Sequence, residues 1–165
     1  MKNHIQIICM FFLIALVVFF GGCLNANTPP SLEDAEAKLI KNKIDVYTIT
    51  EYLRNISYDK IIISRSDGSM FADFSTRHIE ENMVVEAIAR LFENEQYYSI
   101  YKHGNTIEFS EWKGLQDTGS GIAFSLNGVD VPQVAYTTIM TPLSQSGWYY
   151  YVEDYNSWRI DQTAE

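Results

Sequence analysis

Ile79-Glu80-Glu81-Asn82-Met83-Val84-Val85-Glu86-Ala87-Ile88-Ala89-Arg90-Leu91-Phe92-Glu93-Asn94 carries the clearest periodic signal in the chain. Ile79, Met83, Val84, Ala87, Ile88, Leu91 and Phe92 recur three and four residues apart, while Glu80, Glu81, Glu86, Arg90 and Glu93 fall mostly on the opposite side. That pattern belongs to a helix with one apolar stripe. It predicts a helix over 79–94 that presses Met83, Ile88 and Leu91 against an apolar surface, and the flanking sequence supplies a sheet for it.

Upstream, Lys60-Ile61-Ile62-Ile63 and Met70-Phe71-Ala72-Asp73-Phe74 flank Ser66-Asp67-Gly68-Ser69. Asp-Gly supplies the positive φ angles of a tight turn, so these runs read as a hairpin. Downstream, Tyr97 to Lys102 and Thr106 to Ser110 flank His103-Gly104-Asn105, a second hairpin in which Ile107 and Phe109 alternate with Glu108. Ile122, Phe124 and Leu126 alternate in the same way, Val134 to Ile139 reads as a further strand, and Trp148 to Val152 as the last. At the other end, Ser31-Leu32-Glu33-Asp34 has the form of a helix start, and apolar residues from Ala35 to Ile56 follow at helical spacing. One helix over about 32–55 is expected, with Asp45 and the β-branched run after it as weak points and Asn42 as a place for a break. The order predicts an α+β domain: an antiparallel, curved sheet of about six or seven strands with two main helices.

Before this domain comes a different kind of sequence. Met1-Lys2-Asn3-His4 starts with positive charge, and Ile7 to Phe20 is an unbroken apolar run. At about 1.5 Å per residue it covers about 21 Å, short of the roughly 30 Å a spanning helix must cross, so it reads as a signal-peptide core. An uncleaved membrane anchor over Ile5 to Gly22 is the alternative. Gly21-Gly22-Cys23 resembles the lipobox read by lipoprotein signal peptidase, with Phe20 where that pattern usually has Leu. The resemblance implies a signal peptide over 1–22, diacylglycerol on the thiol of Cys23, and a tether over 23–31 ending in Pro29-Pro30. A single domain over 32–165 follows. Cys9 lies in the part to be removed, so apart from Cys23 the mature chain contains no thiol, disulfide or thiolate zinc site.

Ser66 to Phe71, Gly121 to Gly128 and Gly147 to Tyr151, taken in this order, resemble uncharacterised lipoproteins of Gram-positive, clostridia-like bacteria. That resemblance implies an address, the outer face of the cell membrane, and no activity. Net charge points to a short list of partners. The whole chain is −9, and loss of residues 1–22 removes one lysine and no acid, leaving an acidic domain with no Lys/Arg cluster. Nucleic acid is therefore not an expected partner, and neither a cofactor nor a metal is expected.

Two functional classes fit the remaining residues. The last strand and its sequel hold Trp148, Tyr149, Tyr151, Tyr155 and Trp158 among Glu153, Asp154 and Arg159. Rings flanked by acids can grip an envelope polymer, a peptide or another envelope protein, as a noncatalytic binding module would. If alternation sends Trp148, Tyr150 and Val152 to one face of the strand, Tyr149 and Tyr151 occupy the other. The alternative is a small envelope hydrolase in which His78, at the start of the 79–94 helix, acts as a base held by Asp73. No nucleophile elbow or oxyanion glycine accompanies that pair.

Overall fold

The computed structural model describes residues 28–95, 97–114 and 117–163, with side chains to residue 160. The expected signal peptide, Cys23 and most of the expected tether lie outside the described residues. Among the described residues four helices pack with an eight-stranded antiparallel sheet, so the class is the expected α+β.

Helix α1 spans Leu32–Lys41 and α2 spans Lys43–Asn55. Ser31 starts α1 with a capping box: its hydroxyl accepts from the Asp34 N–H, and the Asp34 carboxylate accepts from the Ser31 N–H at 3.0 Å. The single helix expected over 32–55 is broken at Asn42. There φ is −101° and ψ 15°, outside helical values, and the backbone N–H and the side-chain amide both donate to the Lys38 carbonyl at 3.0 Å. α2 buries Val46, Ile49, Thr50 and Leu53.

Strands β1 (Lys60–Ile63) and β2 (Ser69–Ala72) form the expected hairpin, with Gly68 at φ +76° in the turn. A strand the periodicity did not reveal follows at once. β3, Ser75–His78, pairs with β2 after a turn in which Asp73 and Phe74 both have positive φ. Its residues are polar and mostly exposed because it is an edge strand with nothing to bury. Helix α3 therefore begins later than expected and spans Asn82–Asn94. Ile79 is buried but outside the helix, its N–H donating to the Gly68 carbonyl at 3.0 Å. Ile88 and Leu91 are fully buried, as the stripe requires, but Met83 is 73% exposed on the shoulder facing α2. The buried face runs through Val84, Ala87, Ile88 and Leu91, and Met83 lies one position outside it.

β4 (Ser99–His103), β5 (Thr106–Lys113), β6 (Thr118–Ser125), β7 (Thr137–Pro142) and β8 (Trp148–Asp154) complete the sheet in the order β3-β2-β1-β4-β5-β6-β8-β7. The extra edge strand makes eight where six or seven were expected. β7 starts at Thr137, later than the Val134–Ile139 run suggests, because Tyr136 takes a positive φ and the Thr137 hydroxyl donates to the Val134 carbonyl at 2.6 Å. α4, Tyr155–Thr163, closes the order.

Two polar contacts bind the layers together. Lys102 of β4 is buried, and its ammonium donates to the Leu53 and Ile56 carbonyls at 2.9 and 2.6 Å, filling the end of α2 from the sheet. The Tyr150 hydroxyl donates to the Pro30 carbonyl at 2.5 Å, fastening the residues just before α1 beside β8. The other face of β5, β6 and β8 is buried as well. Glu108, expected to alternate outward, is 7% exposed, with His103 Nε2 2.5 Å from its carboxylate and the Tyr101 ring stacked on His103. Central strands covered on both faces lose the two-residue alternation that marks a half-buried strand.

Candidate functional site

The ends of β6 and β8 meet the start of α4 around a groove of about 470 Å³, lined by Tyr98, Lys113, Asp117, Thr118, Tyr136, Glu153 and Tyr155. α4 is held there by Asp154, whose carboxylate accepts the N–H groups of Asn156 and Ser157 at 3.0 Å and the Ser157 hydroxyl at 2.7 Å. These bonds, the Ser157 side chain first, hold the Asp154 carboxyl below its ordinary range. Asp154 is thus a cap, and its acidity serves the helix.

The capped helix sets three rings together. Tyr136 meets Tyr155 edge-on at 4.8 Å between centroids and Trp158 at 5.1 Å, while Tyr155 and Trp158 stack at 6.2 Å. All three rings retain accessible surface, and Tyr136 is 43% exposed. Tyr136 was absent from the sequence-based set. It lies outside the terminal aromatic run, and only the pairing of β7 with β8 brings it there.

On the groove floor, the Glu153 carboxylate lies over Gly119, where a Cβ would come within 2.3 Å of Oε1. Glycine is what leaves the acid room to sit on the sheet. Burial, and then the charge of Glu108, push the Glu153 carboxyl above its usual range. Tyr98, 39% exposed beside it, is raised chiefly by partial burial, with Glu153 and Glu108 adding to the shift. Among the described residues, Glu153 has no basic partner in an ion pair.

The other residues singled out from sequence divide cleanly. Trp148 is 1% exposed in the core, with Phe124 at 4.8 Å, Tyr47 at 5.7 Å and Phe109 at 5.8 Å between ring centroids. Tyr151 is also 1% exposed, its hydroxyl 3.1 Å from Ser110 Oγ, and burial drives its phenol well above the ordinary value. Neither can meet a ligand, because the sheet is covered on both faces. Tyr149 is half-buried opposite Ala123 and Pro142, away from the groove, so of the aromatic set only Tyr155 lines it, and Trp158 packs behind the Tyr136 and Tyr155 rings.

The His78 and Asp73 pairing fails on geometry. His78 is exposed on β3 opposite Ser69, whereas Asp73 is in the turn beyond the Ala72–Ser75 pair, about 10 Å further along the hairpin. The acid that the His78 side chain reaches is Asp67, whose carboxyl is held low first by its bonds from Ser69 and least by the charge of His78. Among the described residues no three His, Cys, Asp or Glu side chains are grouped to hold a metal ion, and no helix is long and apolar enough to cross a membrane.

No family model matches the chain, and no curated protein or solved structure matches it either.

Proposed function

We propose that the protein is an extracytoplasmic lipoprotein, held to the cell membrane by lipid on Cys23, and that its domain is a noncatalytic binding module whose ligand seats in the groove between β6, β8 and α4. The observation that carries the binding reading is the Tyr136, Tyr155 and Trp158 cluster, with accessible rings, beside the half-buried Glu153, which has no ion-pair partner among the described residues. A fold that meant only to fill its core would bury such rings, as it does with Trp148 and Tyr151. The anchor reading rests on Gly21-Gly22-Cys23 after the apolar run, and the Pro30 contact with Tyr150 sets the tether's exit beside β8.

The test has two arms. Cells fed labelled palmitate should label the wild-type protein and leave Cys23→Ser unlabelled, with the mature chain starting at residue 23. Purified wild-type protein should cosediment with cell-envelope material, and Trp158→Ala should lose most of that binding at an unchanged Tm. Equal labelling of both proteins contradicts the anchor, and equal cosedimentation contradicts the groove.

A further inference from the structure

Several buried or partly buried acids of this domain face a base. Glu111 has Lys38 at 2.9 Å, Glu108 has His103 at 2.5 Å, Glu95 has Lys41 at 2.7 Å, and Asp45 has Arg90 at 2.8 Å. Glu153 is half-buried and has none among the described residues. A carboxylate taken partly out of water with no counter-charge is unfavourable, and either a proton or a positively charged partner relieves it. Beside it the groove offers the rings of Tyr136 and Tyr155, and a ring face attracts a cation within about 6 Å of its centroid. The same protein already uses that contact elsewhere, with the Lys38 ammonium 4.5 Å from the centre of the Tyr97 ring.

We infer that the groove takes a primary alkylammonium group, its methylene stem lying along the Tyr136 and Tyr155 rings and its charged head on the Glu153 carboxylate. This rests on the reading of the groove as the binding site and names the chemistry of what it binds. A stem that is apolar and a head that is charged match a groove with rings along the walls and a carboxylate on the floor. An anionic ligand is disfavoured by Glu153, Asp117 and the nearby Glu108, and by the net charge of −9. A neutral ligand would cover Glu153 without compensating its charge. Lys113 carries the opposing charge, but it is exposed at the mouth, where water and salt screen it.

Two sources present this group: a free diamine and a lysine side chain on a polypeptide. The groove's nearby backbone is already engaged, with the Asp154 N–H on the Tyr136 carbonyl and the Tyr155 N–H on the Asp117 carbonyl, so recognition falls to side chains.

The charged and ionisable groups around Glu153 are Glu108 with its partner His103, Asp117, Lys113 and the phenols of Tyr98, Tyr136 and Tyr155. An ammonium favours the charged form of Glu153. Affinity should therefore climb as pH rises through the raised pKa of the free protein and level off above it.

The experiment is calorimetric titration of the full-length protein in detergent micelles with cadaverine, with N-acetyl-Ala-Lys-Ala-amide, with the same peptide acetylated on its lysine, and with chitotriose. The expected result is that one or both amines bind at pH 7 and the acetylated peptide does not. Glu153→Gln should weaken amine binding by about tenfold or more and flatten its pH dependence, at unchanged secondary structure. Peptide binding without cadaverine binding identifies a polypeptide source, and equal binding identifies the free amine. Binding of the acetylated peptide or chitotriose as tight as that of the amines overturns the inference, as does an unaffected Glu153→Gln. In either case loss of binding in Trp158→Ala keeps the groove as the site. Amine binding that survives both substitutions removes inference and site together.

Discussion

Leu91→Ala tests the phase of α3, the element that sets the helices on the sheet. Leu91 is fully buried, and the substitution deletes Cγ and both Cδ atoms. At about 0.8 kcal/mol per buried methylene-sized group the transfer loss is about 2.4 kcal/mol. The cavity left between helix and sheet carries the total up to about 5 kcal/mol if the walls do not close. For a domain of this size that corresponds to a fall in Tm of about 10 °C or more. The matching control is Met83→Ala, eight residues earlier on the same helix and 73% exposed, which should change stability by no more than about 0.5 kcal/mol. Both variants are followed by circular dichroism in urea, where the midpoint should move for Leu91→Ala with an unchanged slope. Equal losses for the two variants, or a larger one for Met83, would refute the phase of the helix and with it the placement of α2 against α3.

Lys38→Ala leaves the Glu111 carboxylate, 1% exposed as a side chain, without its counter-ion and should cost about 3–5 kcal/mol by chemical denaturation, with Lys38→Ala/Glu111→Leu recovering much of it. Glu153→Gln should raise stability at neutral pH and leave it unchanged in acid: a raised folded-state pKa means the native state holds its proton longer, so its contribution is fully present below the unfolded value and is lost as pH rises through the folded one. Asp154→Ala should lower helicity in α4 and loosen the ring cluster; the lowered pKa of Asp154 gives stability present above the unfolded value and lost as pH falls through the folded one, so wild type and variant should converge in acid. A Tm difference that persists at pH 2 would argue against the cap.

Legibility in sequence followed burial geometry. α3 and the β1–β2 hairpin were readable because each has one wet face or a turn residue with a specific backbone demand, Gly68. Edge strand β3 was not, because Ser75, Thr76, Arg77 and His78 make its backbone bonds on one side and bury little. Glu108 misled because β5 is covered on both faces, so its period carries no inside-outside information. Asn42 showed itself as a place for a break, yet the shared use of the Lys38 carbonyl by its backbone N–H and its side-chain amide is a feature of three dimensions. The site was half readable. Tyr155 and Trp158 lay in the aromatic run, while Tyr136, in another strand's approach, and Gly119, whose missing side chain houses Glu153, became visible only through strand pairing.

The chain's three tryptophans mark three places: Trp148 in the core, Trp112 beside the tether's exit at Pro30, and Trp158 at the groove. Protein labelled with 5-fluorotryptophan should therefore give three resolvable fluorine resonances, assigned by single Trp→Phe substitutions. Adding solubilised cell-envelope material should shift or broaden the Trp158 resonance and leave that of the buried Trp148 in place. An unmoved Trp158 resonance would contradict the placement of the binding site in the groove at α4.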